Sequence, residues 1–171
     1  MNTIRLEFVR VLILEDLKED VDLMIRQIRQ VAADFEVFTA RNRKEFEQGL
    51  REFNPGLILA DYLIPGFDGM EALLLAREYS PFVPFIFVTG TLNNEELAAQ
   101  TVLSGASEFV LKNNLKRLST VIAKVLSPAY ASKQIHNKFE ADRYEVDRLK
   151  QEIEQYEARL AEMKAELEKG K

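Results

Sequence analysis

Short apolar runs alternate with longer amphipathic stretches through the first three quarters of the chain. Four of the five runs are continuously apolar, which is typical of strands that are buried on both faces of a sheet. The segments between them are long enough for crossover helices, so parallel pairing is expected. We therefore predict an α/β domain with a doubly wound parallel (βα)5 sheet. The runs are Val11 to Leu14, Glu36 to Ala40, Leu57 to Ala60, Phe85 to Val88 and Phe109 to Leu111.

The expected helix starts support this interpretation. Four of them carry Asp or Asn followed three residues later by Glu, a pattern typical of capping boxes. A side chain at the first of these positions can accept a hydrogen bond from an otherwise unpaired amide of the first turn. The four pairs are Asp16 and Glu19, Asn42 and Glu45, Asp68 and Glu71, and Asn93 and Glu96.

The composition changes sharply after residue 128. All five prolines and six of the seven glycines lie at or before that position. The last 43 residues carry nine basic and ten acidic groups, so they are much more charged than the rest. This change predicts a globular domain over residues 1–128 and a long exposed helix over residues 129–171.

The C-terminal segment carries an apolar heptad repeat typical of a coiled coil. Nine of its ten a and d positions are apolar, and residues 130–169 are expected to form a homodimer, with a parallel pair as the default arrangement. In a parallel pair the charged flanks decide little, so an antiparallel pair or a different partner protein stays open. A helix folded back on the first domain is a further alternative. The a positions are Phe139, Val146, Ile153, Leu160 and Leu167, and the d positions are Ile135, Asp142, Leu149, Tyr156 and Met163.

Composition excludes several classes of site. The chain has no cysteine and one histidine, which excludes disulfides, thiolate zinc sites and multi-histidine metal sites. A net charge of −5 argues against direct nucleic-acid binding. No apolar run approaches the ~20 residues of a membrane-spanning helix, and no secretory signal is evident. We therefore expect a soluble, cytoplasmic protein without a membrane segment.

Polar residues follow the predicted strands where each strand ends. Glu15 and Asp16 follow the first run, Asp61 follows the third, Thr89 follows the fourth and Lys112 follows the fifth. The carboxyl ends of parallel strands share one edge of the sheet, where open α/β folds bind ligands. Three carboxylates at close range favour a hard divalent cation such as Mg²⁺, and the lysine and threonine suggest a phosphoryl group beside it.

Four segments together resemble the response-regulator receiver domain of two-component signalling, in order and spacing, over roughly residues 8–128. They are VLILEDLKED, LILADYLIPGFDGMEAL, PFIFVTGT and GASEFVLK. The resemblance implies a flavodoxin-like sheet of order 2-1-3-4-5. It also implies that Asp61 accepts a phosphoryl group from a phosphohistidine, on a sensor histidine kinase or a histidine phosphotransfer protein.

The resemblance further assigns roles to single residues. Mg²⁺ would be held by Glu15, Asp16, Asp61 and the backbone carbonyl of Leu63. Lys112 and Thr89 would contact the phosphoryl oxygens. Phe109 would rotate as Thr89 moves, and this would remodel the face formed by the fourth helix, the fifth strand and the fifth helix; Phe109 is equally compatible with a simple core role. Leu63 and Thr91 occupy positions that tune hydrolysis in the family.

Two departures from the family pattern affect these expectations. Asn113 follows Lys112 where the family usually has a cis proline, so we expect either a trans bond with an altered loop or a strained cis bond. Leu63 cannot orient an attacking water, so slow autodephosphorylation is expected. The chain is then a phosphoacceptor and not a metabolic enzyme, with at most self-phosphorylation and autodephosphorylation.

Other interpretations of the same residues stay open. A pseudo-receiver would keep the fold and act as a dimerisation or scaffolding module without switching. A haloacid-dehalogenase-like phosphatase would need a second acid where Leu63 stands. His136 lies in a sequence unlike that of a dimerisation-domain kinase and is expected to be an exposed helix residue. The chain could also be a fragment of a longer protein.

Overall fold

A five-stranded parallel sheet forms the centre of the first domain, with strand order β2-β1-β3-β4-β5. The computed structural model describes residues 6–90 and 104–169. The strands are β1 (Leu6–Leu14), β2 (Ala32–Ala40), β3 (Leu57–Ala60), β4 (Phe85–Thr89) and β5 (Glu108–Leu111).

Helices follow the first, second, third and fifth strands, and a short antiparallel hairpin follows β3. The segment between β4 and β5, where a fourth crossover helix was expected, lies largely outside the described residues. The hairpin pairs Leu63–Ile64 with Phe67–Asp68. A π-turn at Gly49–Phe53 continues α2, and a 3₁₀ turn at Lys112–Asn114 follows β5. The helices are α1 (Lys18–Ile28), α2 (Arg43–Gln48), α3 (Gly69–Tyr79), α4 (Arg117–Val125) and α5 (Pro128–Lys169).

Each strand of the sheet centre contributes to two apolar clusters, because successive side chains point to opposite faces. Val11 and Ile13 of β1 pack on one face with side chains of α1 and α4. Leu12 and Leu14 pack on the other face with side chains of α2 and α3. Both faces are therefore covered, which explains why β3 and β4 are buried along their whole length.

The predicted flavodoxin-like sheet of order 2-1-3-4-5 and the long C-terminal helix are both confirmed. Two strands are longer than predicted, since β1 begins at Leu6 and β2 at Ala32. β2 lies at the edge of the sheet, where several of its residues are exposed, so its first half lacks a continuous apolar run. The fourth capping box, at Asn93 and Glu96, lies outside the described residues.

Two predicted helix caps are confirmed and one is wrong. Asn42 Oδ1 accepts a hydrogen bond from the Glu45 amide at 3.0 Å, and Asp68 Oδ1 accepts one from the Met70 amide at 2.6 Å. The prediction that Asp16 caps α1 is wrong, because the N-cap residue is Leu17 and no side chain caps this end. The carboxylate of Glu15 accepts the Leu17 amide instead, at 3.1 Å.

Helix α5 begins with a proline at its first position, where the missing N–H costs no hydrogen bond. Ser127 Oγ accepts the Tyr130 amide at 3.2 Å and so caps the helix. By its internal contacts the chain divides into two compact units between Ala131 and Ser132. In the described part of the chain, no helix combines the length and apolar character needed to cross a bilayer.

Candidate functional site

The ends of four strands bring the predicted polar residues to one edge of the sheet. Leu14 and Ala60 pair in register, so Glu15 and Asp61 follow neighbouring strands at the same level. Thr89 pairs with Leu111 in the same way, and Lys112 comes directly after Leu111. The structure thus places Glu15, Asp61, Thr89 and Lys112 at one edge, as the parallel topology requires.

Lys112 is the centre of this group. Its Nζ lies 2.7 Å from Glu15 Oε2, 2.7 Å from Asp61 Oδ2 and 2.6 Å from Asp20 Oδ2. Glu15 and Asp61 are buried, and the side chains of Lys112 and Asp20 are 18% and 24% exposed. One ammonium therefore compensates three carboxylates in a partly desolvated site.

Burial and charge act in opposite directions at this site. Burial raises the pKa of Glu15, although the ion pair with Lys112 and the Leu17 amide oppose the shift. Burial alone would lower the pKa of Lys112, but its three carboxylate partners outweigh burial and raise that pKa above its ordinary value. Lys112 is therefore a cation at every physiological pH, and its permanent positive charge stabilises the neighbouring carboxylates of Glu15, Asp20 and Asp61.

The backbone around Asp61 holds its carboxylate in place. The Asp61 amide donates to the carbonyl of Leu14 at 2.9 Å, and Asp61 Oδ1 accepts the Leu63 amide at 3.3 Å. One carboxylate oxygen thus faces Lys112 and the other faces the loop that follows β3. The side chain of Leu63 is 56% exposed beside this carboxylate.

A close backbone contact fixes the loop after Asp61. The Gly69 amide, at the start of α3, donates to the carbonyl of Tyr62 at 3.0 Å. A Cβ atom on Gly69 would lie 2.8 Å from Tyr62 Cα and 2.9 Å from its carbonyl oxygen. Only glycine allows this approach, so Gly69 positions the loop that carries Leu63.

Asp16, Thr89 and Phe109 are the other predicted site residues that the structure describes. Asp16 is exposed, next to the buried Glu15. Thr89 is buried at the end of β4. Phe109 is partly buried in β5 and packs against the apolar cluster shared with α2 and α3. Thr91 lies outside the described residues.

The peptide bond between Lys112 and Asn113 is trans. The strained cis bond, one of the two expectations from the sequence, is therefore wrong. The loop at this bond is the 3₁₀ turn Lys112–Asn114, which leads through Leu115 to α4.

The polar residues at this edge of the sheet fit a divalent cation only in part. Among residues 6–90 and 104–169, no group of three or more acidic or histidine side chains is arranged to hold a metal. Two features nevertheless fit a cation. The first is that the side-chain donors are carboxylate oxygens, which Mg²⁺ prefers. In addition, Glu15 Oε2 is buried and lies 2.7 Å from the Lys112 ammonium, so this carboxylate oxygen already faces a positive charge.

Asp20 is a member of the site that the sequence analysis missed. It lies in the first turn of α1, and its contact with Lys112 is the shortest of the three. Asp20 lies five residues after Glu15, in the first turn of the helix that follows β1. This spacing could have shown that an acid in the first turn of α1 also faces the edge of the sheet.

Comparison with known proteins agrees with the fold. The family model described as the response regulator receiver domain matches residues 11–123. The chain belongs to this receiver domain family. All four motifs and the group around Lys112 lie within the matched region, so the receiver is the part of the chain that carries the candidate site.

Individual relatives are receiver proteins of several kinds. The receiver is 28% identical over 98 residues to the chemotaxis protein CheY of Halobacterium salinarum, which covers 56% of this chain and 81% of that protein. It is 32% identical over 90 residues to a protein-glutamate methylesterase/protein-glutamine glutaminase of Rhodospirillum rubrum, covering 52% of this chain and 24% of that protein. The chain spans about a quarter or less of the first curated relatives it matches.

Solved structures show the same fold. The response regulator domain of Thermotoga maritima CheB superposes with a TM-score of 0.59 at 21% identity. The match covers 69% of this chain and 92% of that one. At this identity the likeness shows the architecture of the receiver.

Proposed function

We propose that this receiver is a phosphorylation-dependent signalling switch in which Asp61 accepts the phosphoryl group. The observation that carries the proposal is the buried Asp61 carboxylate at the end of β3, with Lys112 Nζ 2.7 Å from its Oδ2. A carboxylate held beside a permanent cation is shielded from the negative charge of an approaching phosphoryl group. Family membership supports this role for a strand-end acid.

The proposed reaction is a direct transfer. A carboxylate oxygen of Asp61 forms a bond to phosphorus while the bond from phosphorus to the imidazole nitrogen of a phosphohistidine breaks. The imidazole leaves with the electron pair of that bond, and Asp61 becomes an acyl phosphate. The donor is a sensor histidine kinase or a histidine phosphotransfer protein, and the receiver itself is a phosphoacceptor and not a metabolic enzyme.

We assign the Mg²⁺ site to the carboxylates of Glu15, Asp16 and Asp61 together with the carbonyl of Leu63. The carboxylate oxygen donors and the buried position of Glu15 support this assignment. Mg²⁺ would neutralise charge on the phosphoryl oxygens. Lys112 is then expected to exchange some of its carboxylate contacts for contacts with the phosphoryl group.

Thr89 and Phe109 are proposed to transmit the change. Thr89 is buried at the strand end beside the site, and Phe109 is only partly buried in the neighbouring strand β5. Movement of Thr89 toward the phosphoryl group would leave space for Phe109 to rotate. The surface around β5 and the helices beside it would then change shape. The C-terminal helix is the proposed output element, and the protein is proposed to be a cytoplasmic homodimer through this helix.

The decisive experiment is intact mass spectrometry of the full chain after incubation with a small phosphodonor and Mg²⁺. We expect the parent to gain one phosphoryl group and Asp61→Asn to gain none. Asp68→Asn is the matched control, because it makes the same change on the adjacent loop and keeps a side chain that can cap α3. If the parent gains no phosphoryl group when Mg²⁺ is present, the switch is rejected and the pseudo-receiver is favoured.

Leu63 is proposed to make the acyl phosphate long-lived. Its side chain is exposed and apolar, so it offers no hydrogen bond that could orient an attacking water. Leu63→Asn should therefore lose its phosphoryl group faster than the parent in a mass-spectrometric time course. An unchanged rate in Leu63→Asn would contradict this role.

A further inference from the structure

Helix α5 carries an apolar stripe that is exposed in the single chain. Eight large apolar side chains at a and d positions of the heptad repeat are each between 45% and 66% exposed. A stripe of this length is not stable in water without a partner. The eight residues are Ile135, Phe139, Val146, Leu149, Ile153, Tyr156, Leu160 and Met163.

The charged residues beside the stripe disfavour a parallel pair of identical helices. In a parallel dimer each g residue lies near the e residue of the next heptad in the partner. Glu145 and Lys150 attract each other in this arrangement. The other pairs carry like charges: Lys138 with Arg143, Glu152 with Glu157, and Arg159 with Lys164.

An antiparallel pair changes these contacts, because e residues then face e residues and g residues face g residues. With the two helices centred on Gln151, Glu145 faces Arg159 and Arg143 faces Glu157. Each of these attractive contacts occurs twice by symmetry. Like charges meet only at the centre, where Lys150 and Glu152 each face their own copy, while His136 faces Lys164.

Asp142, the one polar residue at a d position, favours the same orientation. In a parallel pair the two Asp142 side chains would face each other in the core, where like charges are poorly solvated. In the antiparallel pair centred on Gln151, Asp142 faces Leu160 of the second copy, and the two carboxylates lie far apart. Lys138, 3.9 Å from Asp142 on the same helix, can compensate its charge.

The register is also selected by charge. Moving one helix by one heptad toward its own start brings Lys138 against Arg159, Glu145 against Glu152 and Arg143 against Lys150, all like pairs. The opposite move brings Arg143 against Lys164 and Glu145 against Glu166. It also pairs Lys150 with Glu157 and Glu152 with Arg159, so attraction and repulsion balance, and it leaves Phe139 opposite Gly170. Only the register centred on Gln151 combines opposite charges on both flanks with apolar partners for Phe139 and Val146, which face Met163 and Tyr156.

We propose that α5 pairs with α5 of a second copy of this chain as an antiparallel coiled coil centred on Gln151. The inference rests on the homodimer proposed above and adds its orientation. In such a dimer the two receivers attach at opposite ends of the coil. The first residues of the two α5 helices are therefore far apart, so a conformational change in one receiver does not pass to the other receiver by contact between these helix ends.

Cysteine cross-linking of the full chain tests the orientation directly, because the parent has no cysteine. Glu152→Cys places a thiol beside its own copy in the antiparallel pair, and the disulfide-linked dimer should be the major species after mild oxidation. Val146→Cys should stay monomeric on a non-reducing gel, because its two copies are about 15 Å apart along the axis. Tyr144→Cys, on the outer face and 75% exposed, controls for random collision.

Light scattering separates failure of the dimer from failure of its orientation. A dimeric parent in which Val146→Cys cross-links and Glu152→Cys does not would overturn the antiparallel arrangement and leave the homodimer standing. A monomeric parent at micromolar concentration would overturn both. Lys150→Cys provides a second antiparallel position, since Lys150 also faces its own copy, and it should cross-link like Glu152→Cys.

Discussion

Asp20, Glu15 and Asp61 all form ion pairs with Lys112, and the contribution of Asp20 to stability can be measured. Asp20→Asn removes one of three carboxylates around Lys112, so the pKa of Lys112 should fall toward its ordinary value. We expect the free energy of unfolding in urea at pH 8 to fall by about 1 kcal/mol, since both side chains are partly exposed.

Asp22→Asn is the matched control for this change. Asp22 lies on the same helix and is exposed, so its substitution should alter stability by less than about 0.5 kcal/mol. Equal losses in the two variants would show that Asp20 acts only through the general charge of α1.

Glu15 should give the receiver an unusual dependence on pH. Its pKa is raised in the folded state, so between the ordinary value of 4.5 and the raised value the folded chain binds a proton that the unfolded chain has released. Stability conferred by this proton is lost as pH rises through that window. In Mg²⁺-free buffer, the parent should therefore lose stability relative to Glu15→Gln as pH rises above 4.5.

Urea unfolding of both proteins at a series of pH values measures this difference. The difference between parent and variant should level off above the raised pKa of Glu15. A difference that is constant across the window, or that changes in the opposite direction, would mean that burial does not dominate at Glu15.

At the residue scale, position along the chain was predictable but contacts were not. The ends of the predicted strands identified a group of polar residues, because parallel topology places residues that follow strands at one edge of the sheet. These residues are Glu15, Asp61, Thr89 and Lys112. Asp20 was missed because its role depends on the direction of a helical side chain. The Asp16 cap was predicted wrongly, because Glu15 accepts the Leu17 amide and the helix begins one residue later.

Among the elements, the loop between β3 and α3 depends on a single glycine. Gly69→Ala would bring a Cβ within 3.0 Å of Tyr62 backbone and the ring of Phe87. Backbone atoms cannot move aside as a flexible side chain can, so the loop beside Asp61 must shift. We expect unfolding free energy to fall by about 1–3 kcal/mol.

Gly56→Ala is the control for the glycine change. The nearest atoms to a Cβ at Gly56 lie at 3.7 and 3.8 Å, in ordinary van der Waals contact. Denaturant unfolding should detect a loss only for Gly69→Ala. A similar loss in Gly56→Ala would point to a general effect of replacing glycine.

Whole elements were predictable where the apolar pattern was continuous. The central strands β3 and β4 match their predicted runs closely, because burial on both faces requires apolar residues throughout. Edge strand β2 was predicted four residues too short, because exposure on its outer side allows polar residues such as Asp34. A strand that is buried along its whole length has a continuous apolar sequence that is easy to recognise, whereas a partly exposed strand has a mixed sequence that is not.

For the molecule as a whole, the two units should respond separately to substitution in α5. Ile153→Asp places a charge at the centre of the apolar stripe, so the proposed dimer should dissociate to a monomer in light scattering. The unfolding transition of the receiver should not change, because Ile153 lies in the second unit. Gln151→Asp introduces the same charge on the outer face of the helix and should leave the dimer intact.

In the proposed switch, the exposed apolar side chain of Leu63 determines how long the phosphoryl group stays on Asp61. A phosphoryl group that water removes slowly outlasts the stimulus that placed it there, so the occupied fraction reflects the accumulated history of the input and not its momentary level. Such a receiver averages over brief fluctuations. Its reset would then depend on a second protein that withdraws the phosphoryl group, and the duration of the response would be decided outside the chain.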